Sequence, residues 1–212
     1  MIGDLVIGLP GDRPGGLVLT VLFFVVAGTV SLAASLAYAV ACTSVRPVAA
    51  ILQGASALLR GVPVLLLVFL AAVVAPGPVE VAAFVGLLLY SWSHASEILR
   101  GYLAAYPRKL TDQARVMGLS AAAELVRLRI PWVLRRALDA LLTHWVSLLK
   151  DTGALVVLGV GELTTLSKTL SETAATTAEW VTIVAAASGL YLTATLVLVT
   201  LVGRLRSSAL LV

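Results

Sequence analysis

The feature that most constrains this chain is the stretch from Leu17 to Cys42, which contains no Asp, Glu, Lys, Arg or His. A helix needs about 20 apolar residues to cross the roughly 30 Å hydrocarbon core of a bilayer, so this stretch is long enough to span one. Trp180 to Val202 forms a second stretch of this kind. Because helices satisfy their backbone hydrogen bonds internally, the sequence predicts a membrane protein built from α-helices.

The composition agrees with a lipid-facing surface. Only 12% of the side chains are charged, whereas a typical soluble domain carries about 25%. This difference argues against a soluble enzyme, a nucleic-acid-binding domain and a disordered tail. Cys42 is the single cysteine of the sequence, so no disulfide can form within it. With two histidines and no second cysteine, we expect no metal site.

Five apolar segments are interpreted as membrane spans of one transmembrane domain covering 1–212, and the predicted fold is an all-α polytopic membrane protein. Their approximate bounds are 17–42, 50–75, 79–98, 132–160 and 180–202. The second is interrupted at Arg60-Gly61-Val62-Pro63, which we interpret as an elbow where span two begins. The fourth contains several charged or ionisable side chains, namely Arg135, Arg136, Asp139, His144, Lys150 and Asp151.

The basic residues predict the orientation of these spans, because cytoplasmic loops are enriched in Lys and Arg. An outside N-terminus and a cytoplasmic C-terminus place twelve of the fifteen basic residues inside. Only Arg13, Lys150 and Lys168 then remain outside. The first sixteen residues lack the basic start of a signal peptide, so we expect no cleaved leader.

The loop between spans three and four, roughly 99–131, is the most polar part of the chain. Its centre predicts two short helices separated at Gly118, which can adopt the left-handed conformation that ends a helix. Thr111 is the predicted N-cap of the first helix, with Asp112 in its first turn, and Ser120 is the predicted N-cap of the second. From charge alone, two interpretations stay open: a docking device, or a basic loop resting on anionic lipid headgroups.

The loop resembles the EAA loop of binding-protein-dependent ABC importer permeases. The pattern is Asp112-Gln113-Ala114, three residues, Gly118, eleven residues, then Ile130-Pro131, with Asp112 in place of the family's Glu and Gln113 in place of its first Ala. Other segments are similar to further motifs of that family, and the last two to its branch for polar amino acids and opines: Arg60-Gly61-Val62-Pro63, Ser96–Gly101, Ser147–Thr152 and Gly159–Leu163.

This resemblance implies a permease subunit of an ATP-driven importer in a bacterial inner membrane. The loop would be a coupling helix for a pair of separate ATPase subunits that bind ATP and magnesium. The implied coupling residues are Arg108, Lys109, Asp112, Gln113, Ala114, Arg115, Met117 and Gly118. A second permease, identical or homologous, and an extracytoplasmic solute-binding protein would complete the complex. The sequence contains no Gly-Lys-Ser/Thr phosphate loop, so we expect this chain to hydrolyse no ATP and to bind no cofactor itself.

Polar residues within the predicted spans are candidates for the solute pathway, because such residues usually face protein or water. These candidates are Tyr90 and Ser93 on span three, and Thr143, Ser147, Lys150 and Asp151 on span four.

Purely structural roles are the alternative for several of these and for neighbouring polar residues. Asp139 is predicted to pair with Arg135 or Arg136, and Lys150 can snorkel to the outer surface. Glu97 is predicted to pair with Arg100, and His94 to be a packed, neutral core residue. The repeat Ala27, Ser31, Ser35 predicts close helix packing.

Two other functions are alternatives to a permease. An intramembrane hydrolase could use Ser188 with His94 or His144, but the sequence has no Gly-x-Ser-Gly motif. A self-sufficient secondary carrier or channel is the other alternative. Such carriers are usually built from two repeats, and five spans cannot be divided into equal halves.

Overall fold

The computed structural model describes residues 2–9, 11, 14–43 and 46–209; Arg13, which the orientation argument places outside, lies beyond these ranges. The described chain is helical apart from an isolated bridge between Gly16 and Glu162. The α-helices are α1 Ile2–Ile7, α2 Gly16–Ala41, α3 Arg46–Gly61, α4 Val64–Val74, α5 Val79–Ala104, α6 Arg108–Val116, α7 Ala121–Glu124, α8 Ile130–Asp151, α9 Leu163–Glu172 and α10 Thr177–Ala209. A π-helical segment, Leu125–Arg129, leads into α8, and a 3-10 helix, Thr152–Leu158, follows it.

Helix α5 lies at the centre of the bundle, where it packs against α2, α3, α4 and α8. Small side chains permit this close approach. A Cβ added to Gly86 of α5 would lie 2.6 Å from the Cα of Val68 in α4. Because α5 is surrounded by protein, its polar side chains can be satisfied by neighbouring helices instead of facing lipid.

The contact between α2 and α5 is the main seam of the core. Ala27, Ser31 and Ser35 are all fully buried, which confirms the predicted packing role of this repeat. The Ser31 and Ser91 hydroxyl oxygens are 2.7 Å apart, and Ser35 donates to the Trp92 carbonyl at 3.2 Å. Hydrogen bonds between hydroxyls therefore join two helices whose small residues let the backbones approach.

Three helical segments of the described chain are long and apolar enough to cross a bilayer: Gly16–Ala41, Ala121–Leu158 and Thr177–Arg206. Helices α3 and α4 meet at a bend of 109°, which confirms the predicted elbow, and they add a fourth span if the bent pair crosses as one. Helix α5 has 26 residues and is long enough to cross a bilayer, but it is too polar to be included among these apolar segments. The total of five spans therefore stays a prediction.

At one end of the bundle, a backbone hydrogen bond joins two segments that are distant in the sequence. The Gly16 N–H donates to the Gly161 carbonyl at 2.8 Å, joining the start of α2 to the segment before α9. Gly16 has φ +55°, and an added Cβ would lie 2.1 Å from the Leu5 carbonyl oxygen, so no other residue fits there. We refer to this as the Gly16 end; α6, α7 and the C-terminal turns of α10 lie at the opposite end.

Candidate functional site

The polar loop folds into a knob of two short helices, α6 and α7. Gly118 between them has φ +73°, and the Ser120 hydroxyl accepts from the Ala123 N–H at 3.2 Å, so both local predictions are confirmed. The predicted N-cap at Thr111 is wrong, and so is the predicted place of Asp112 in the first turn, since Asp112 lies in the second turn. Helix α6 already begins at Arg108, directly after Pro107, whose ring fixes an extended entry into the helix. Thr111 lies inside α6 and its hydroxyl accepts from the Arg129 guanidinium at 3.1 Å.

Arg129, the last residue before α8, connects the knob to the start of that helix. Its Nε donates to the Glu124 carboxylate at 2.9 Å, and its guanidinium lies 5.2 Å from the centre of the Tyr106 ring. The Arg129 hydrogen bond holds the pKa of the Glu124 carboxyl below its usual value. The sequence did not predict the pair Glu124 and Arg129, because the two residues are five apart. Residues at this spacing lie on the same face of a π-helical turn but not of an α-helix.

Most of the predicted coupling residues are exposed on the knob. Among them Lys109, Asp112, Gln113 and Met117, together with Val116, line a shallow depression of about 650 Å³, which we call the coupling face. Val116 and Met117 are 89% and 65% exposed, so apolar side chains stand open to solvent here. Ala114 is the exception, because it is the fully buried residue of α6.

A second feature is a cavity of about 430 Å³ between α3, α5 and α8, which we call the polar cavity. It brings together three of the six predicted pathway residues, namely Tyr90, Thr143 and Ser147. Of the other three, Ser93 is buried and donates to the Tyr90 carbonyl at 2.9 Å, Lys150 is exposed outside the cavity, and Asp151 is half-buried outside it.

One wall of the polar cavity carries a group of charges. Glu97 pairs with Arg100, as predicted, through a hydrogen bond from Arg100 Nε at 3.0 Å. Arg60 joins them from α3, with 3.6 Å between its Nη1 and the Glu97 carboxylate. Arg60 also donates to the Ser56 hydroxyl at 2.7 Å. Because of the elbow after α3, Arg60 reaches a side chain 37 positions further along the chain, which local spacing could not predict.

Both histidines lie at the polar cavity. The His94 and His144 rings stack with 5.7 Å between their centres and 7° between their planes. His144 is buried, and its Nε2 lies 3.0 Å from the Ser91 hydroxyl, which continues the hydrogen-bonded seam toward α2. His94 is packed as predicted, yet it also lines the cavity. Among the residues that the structure describes, no group of three His, Cys, Asp or Glu side chains could hold a metal ion.

Asp139 does not pair within α8. Its carboxylate accepts from Arg206 of α10 at 3.0 Å, so the predicted pairing with Arg135 or Arg136 is wrong. Helices α8 and α10 pack together in this region, which brings Arg206 within reach. Arg136 instead places its guanidinium 5.8 Å from the centre of the Trp132 ring.

Glu162, within the segment Gly159–Leu163, is a buried carboxylate. It is fully buried and accepts hydrogen bonds from the backbone N–H groups of Thr164 and Thr165, both at 2.8 Å. It also accepts from the Tyr191 hydroxyl of α10 at 3.1 Å. Glu162 thereby caps α9 and ties it to α10. The signal available in the sequence was its position two and three residues before Thr164 and Thr165, which lie in the first turn of α9.

Comparison with known proteins adds three findings. A family model described as binding-protein-dependent transport system inner membrane component matches residues 31–209. The arginine ABC transporter permease protein ArtQ of Haemophilus influenzae is 35% identical over 119 residues, which cover 50% of this chain and 54% of that protein. The probable glutamine ABC transporter permease protein GlnP of Bacillus subtilis is 31% identical over 110 residues, half of each chain. The chain thus spans about half the length of the curated relatives it matches.

Solved structures show the same fold. An amino acid ABC transporter solved with histidines aligns with a TM-score of 0.77 at 21% identity, covering 91% of this chain and 92% of that one. The inward-facing MetNI methionine ABC transporter aligns with a TM-score of 0.76 at 15% identity, covering 90% and 92%. The predicted all-α membrane fold is therefore confirmed.

Proposed function

The chain belongs to the family of binding-protein-dependent transport system inner membrane components, and on that premise we propose that it is the permease subunit of an ATP-driven importer for a polar amino acid or a related small solute. The observation that carries this proposal is the family match over residues 31–209, a range that contains both the coupling face and the polar cavity.

The coupling face supplies the contact with a motor in this proposal. Exposed Val116 and Met117 can enter an apolar groove on a separate ATPase subunit, while Arg108, Lys109 and Arg115 contact its rim. ATP and magnesium are bound by that partner. Because Arg129 joins the knob to the start of α8, a displacement of α6 would be passed to α8 and the walls of the polar cavity.

The polar cavity is the proposed solute pathway. A zwitterionic amino acid needs an acceptor for its ammonium group and donors for its carboxylate, and both kinds of group are present. Glu97 and the hydroxyls of Thr143 and Ser147 can accept, while Arg60 and Tyr90 can donate. The relatives named for arginine and glutamine transport support an amino acid as the solute.

A single chain does not enclose a complete pathway, so we propose a two-fold pair with a second copy or a homologous permease. An extracytoplasmic binding protein would deliver the solute to the Gly16 end, and the knob would lie in the cytoplasm. This orientation follows the positive-inside rule, because the knob and its surroundings carry most of the basic residues.

A hydrolase finds no support in the described geometry. The hydroxyl groups that contact His144 and His94 belong to Ser91 and Ser93. Among the described residues, Ser188 of α10 is exposed and forms no hydrogen bond with either histidine. Ser91 is fully buried between helices, so a substrate cannot reach its hydroxyl.

The test is capture of the ATPase subunit by the purified permease carrying Gly118→Asp. Gly159→Asp is the matched control, because Gly159 has a similar φ of +69° and, like Gly118, has nothing within 4 Å of an added Cβ. Both variants carry a similar backbone cost, but Gly159 lies at the Gly16 end, far from the knob. We expect Gly118→Asp to abolish capture while membrane insertion is retained, and Gly159→Asp to capture normally. Capture by both variants would contradict the coupling role.

A further inference from the structure

A third cavity, of about 720 Å³, lies where the knob meets α8 and α10, and we call it the basic cavity. Four arginines line it: Arg127, Arg135, Arg136 and Arg206. The one acidic residue in its lining is Asp139, which is already engaged by Arg206 at 3.0 Å. Within the described ranges, the other three arginines have no carboxylate within 4.0 Å, so the cavity carries an excess of positive charge.

Two aromatic rings contribute to the lining of the basic cavity. Trp132 and Tyr106 line it, with 5.4 Å between their ring centres in an edge-to-face arrangement. Aromatic rings of this kind concentrate at the boundary between hydrocarbon and water. Next to Arg206, the last turns of α10 present Leu201 and Leu205, which are 54% and 63% exposed. The cationic cavity therefore lies at one end of a helix whose exposed surface is largely apolar.

We propose that the basic cavity binds the headgroup phosphate of an anionic phospholipid, whose acyl chains lie along the exposed apolar surface of α10. Guanidinium groups suit this ligand because each can donate two parallel hydrogen bonds to phosphate oxygens. In the part of the chain that the structure describes, Arg127, Arg135 and Arg136 have no carboxylate partner, and a bound phosphate would balance their charge. A soluble anion would satisfy the arginines as well, and competition with inorganic phosphate distinguishes the two sources.

The bound headgroup would join three elements. Arg127 belongs to the π-helical segment at the root of the knob, Arg135 and Arg136 to α8, and Arg206 to α10. The basic cavity shares Gln113 and Met117 with the coupling face but no lining residue with the polar cavity, and the proposal does not depend on which solute is carried.

The experiment is native mass spectrometry of the full-length chain, titrated with phosphatidylglycerol and with phosphatidylcholine of the same acyl chains. We expect the unaltered chain to bind phosphatidylglycerol preferentially. Each basic residue near a membrane surface contributes roughly fivefold to binding, so Arg135→Gln with Arg136→Gln should weaken phosphatidylglycerol binding roughly 25-fold. The matched control, Arg108→Gln with Lys109→Gln, removes the same charge from the knob outside the cavity and should bind as the unaltered chain does.

Several results would overturn the proposal. Equal binding of the two lipids by the unaltered chain would do so without any variant. Equal losses in the test and control variants would show diffuse attraction to a basic face. Displacement of phosphatidylglycerol by inorganic phosphate would assign the arginines to a soluble anion. If the Arg135 and Arg136 variant instead lost capture of the ATPase and kept its lipid, the cavity would belong to the protein interface.

Discussion

Replacing Glu162 by Gln tests the packing of α2, α9 and α10 with a change of one atom. The Glu162 carboxylate is fully buried and is surrounded by donors from Thr164, Thr165 and Tyr191. In Glu162→Gln one carboxylate oxygen becomes an NH₂ group, which can only donate. At least one backbone N–H of α9 then faces another donor, and the bonds that remain lose their charged acceptor.

The expected cost follows from the number of bonds affected. A hydrogen bond to a charged group contributes about 1.5–3 kcal/mol, and each carboxylate oxygen accepts from at least two donors, so losing two bonds to one oxygen destabilises the fold by about 3–6 kcal/mol. A chain of this size shifts its unfolding midpoint by roughly 2–4 °C per kcal/mol, so even the lower figure predicts a decrease of about 6 °C.

The assay is thermal unfolding of the purified protein in detergent, followed by tryptophan fluorescence. Glu172→Gln is the matched control, because Glu172 lies at the other end of α9, is 65% exposed and forms only a surface pair with Lys168 at 3.7 Å. Such a pair contributes about 0–1 kcal/mol, so the control midpoint should fall by a few degrees at most. Equal midpoints for the two variants would refute the assigned role of the buried carboxylate.

Three further changes test other parts of the structure. Gly86→Ala places a Cβ 2.6 Å from the Val68 backbone and should cost about 1–3 kcal/mol in the same unfolding assay, whereas Gly101→Ala on the same helix meets nothing within 4 Å and should be neutral. Lys150 is exposed outside the polar cavity, so Lys150→Ala should leave the kinetics of solute uptake unchanged; altered kinetics would place Lys150 in the solute pathway, as the sequence predicted. The pKa of Glu124 is lowered in the fold, so its stabilising contribution is complete above the ordinary carboxyl pKa of about 4.3 and is lost as the pH falls below it. Hydrogen exchange in α7, corrected for intrinsic rates, should therefore show unchanged protection between about pH 7 and pH 5, and a loss in that interval would count against the pairing.

The sequence predicted those features that depend on local chemistry. The long uncharged stretches predicted helices, Gly118 predicted the break in the knob, and Ser120 predicted the N-cap of α7. Each of these features depends only on residues within one or two helical turns. Thr111 failed as a cap for a reason that is also local, since Pro107 starts the helix one turn earlier. The preference of threonine for caps was outweighed by the fixed backbone of proline.

Contacts between helices were largely beyond sequence reasoning. Asp139 had arginines three and four residues away, yet it pairs with Arg206, which lies 67 positions further along the chain. The stacking of His94 on His144 likewise joins α5 to α8. Local spacing identifies which side chains share one helix face, but it does not identify which helix lies opposite. The sequence indicated polar residues on α5, but the side chains that they contact on other helices are known only from the structure.

The central claim is that this bundle moves solute only when a separate ATPase drives it through the knob. The direct measurement is uptake of a radiolabelled amino acid into proteoliposomes that contain the permease and its binding protein, with and without the ATPase subunit and ATP. We predict accumulation only when the ATPase and ATP are both present. Accumulation by the permease in vesicles that lack the ATPase would contradict the claim.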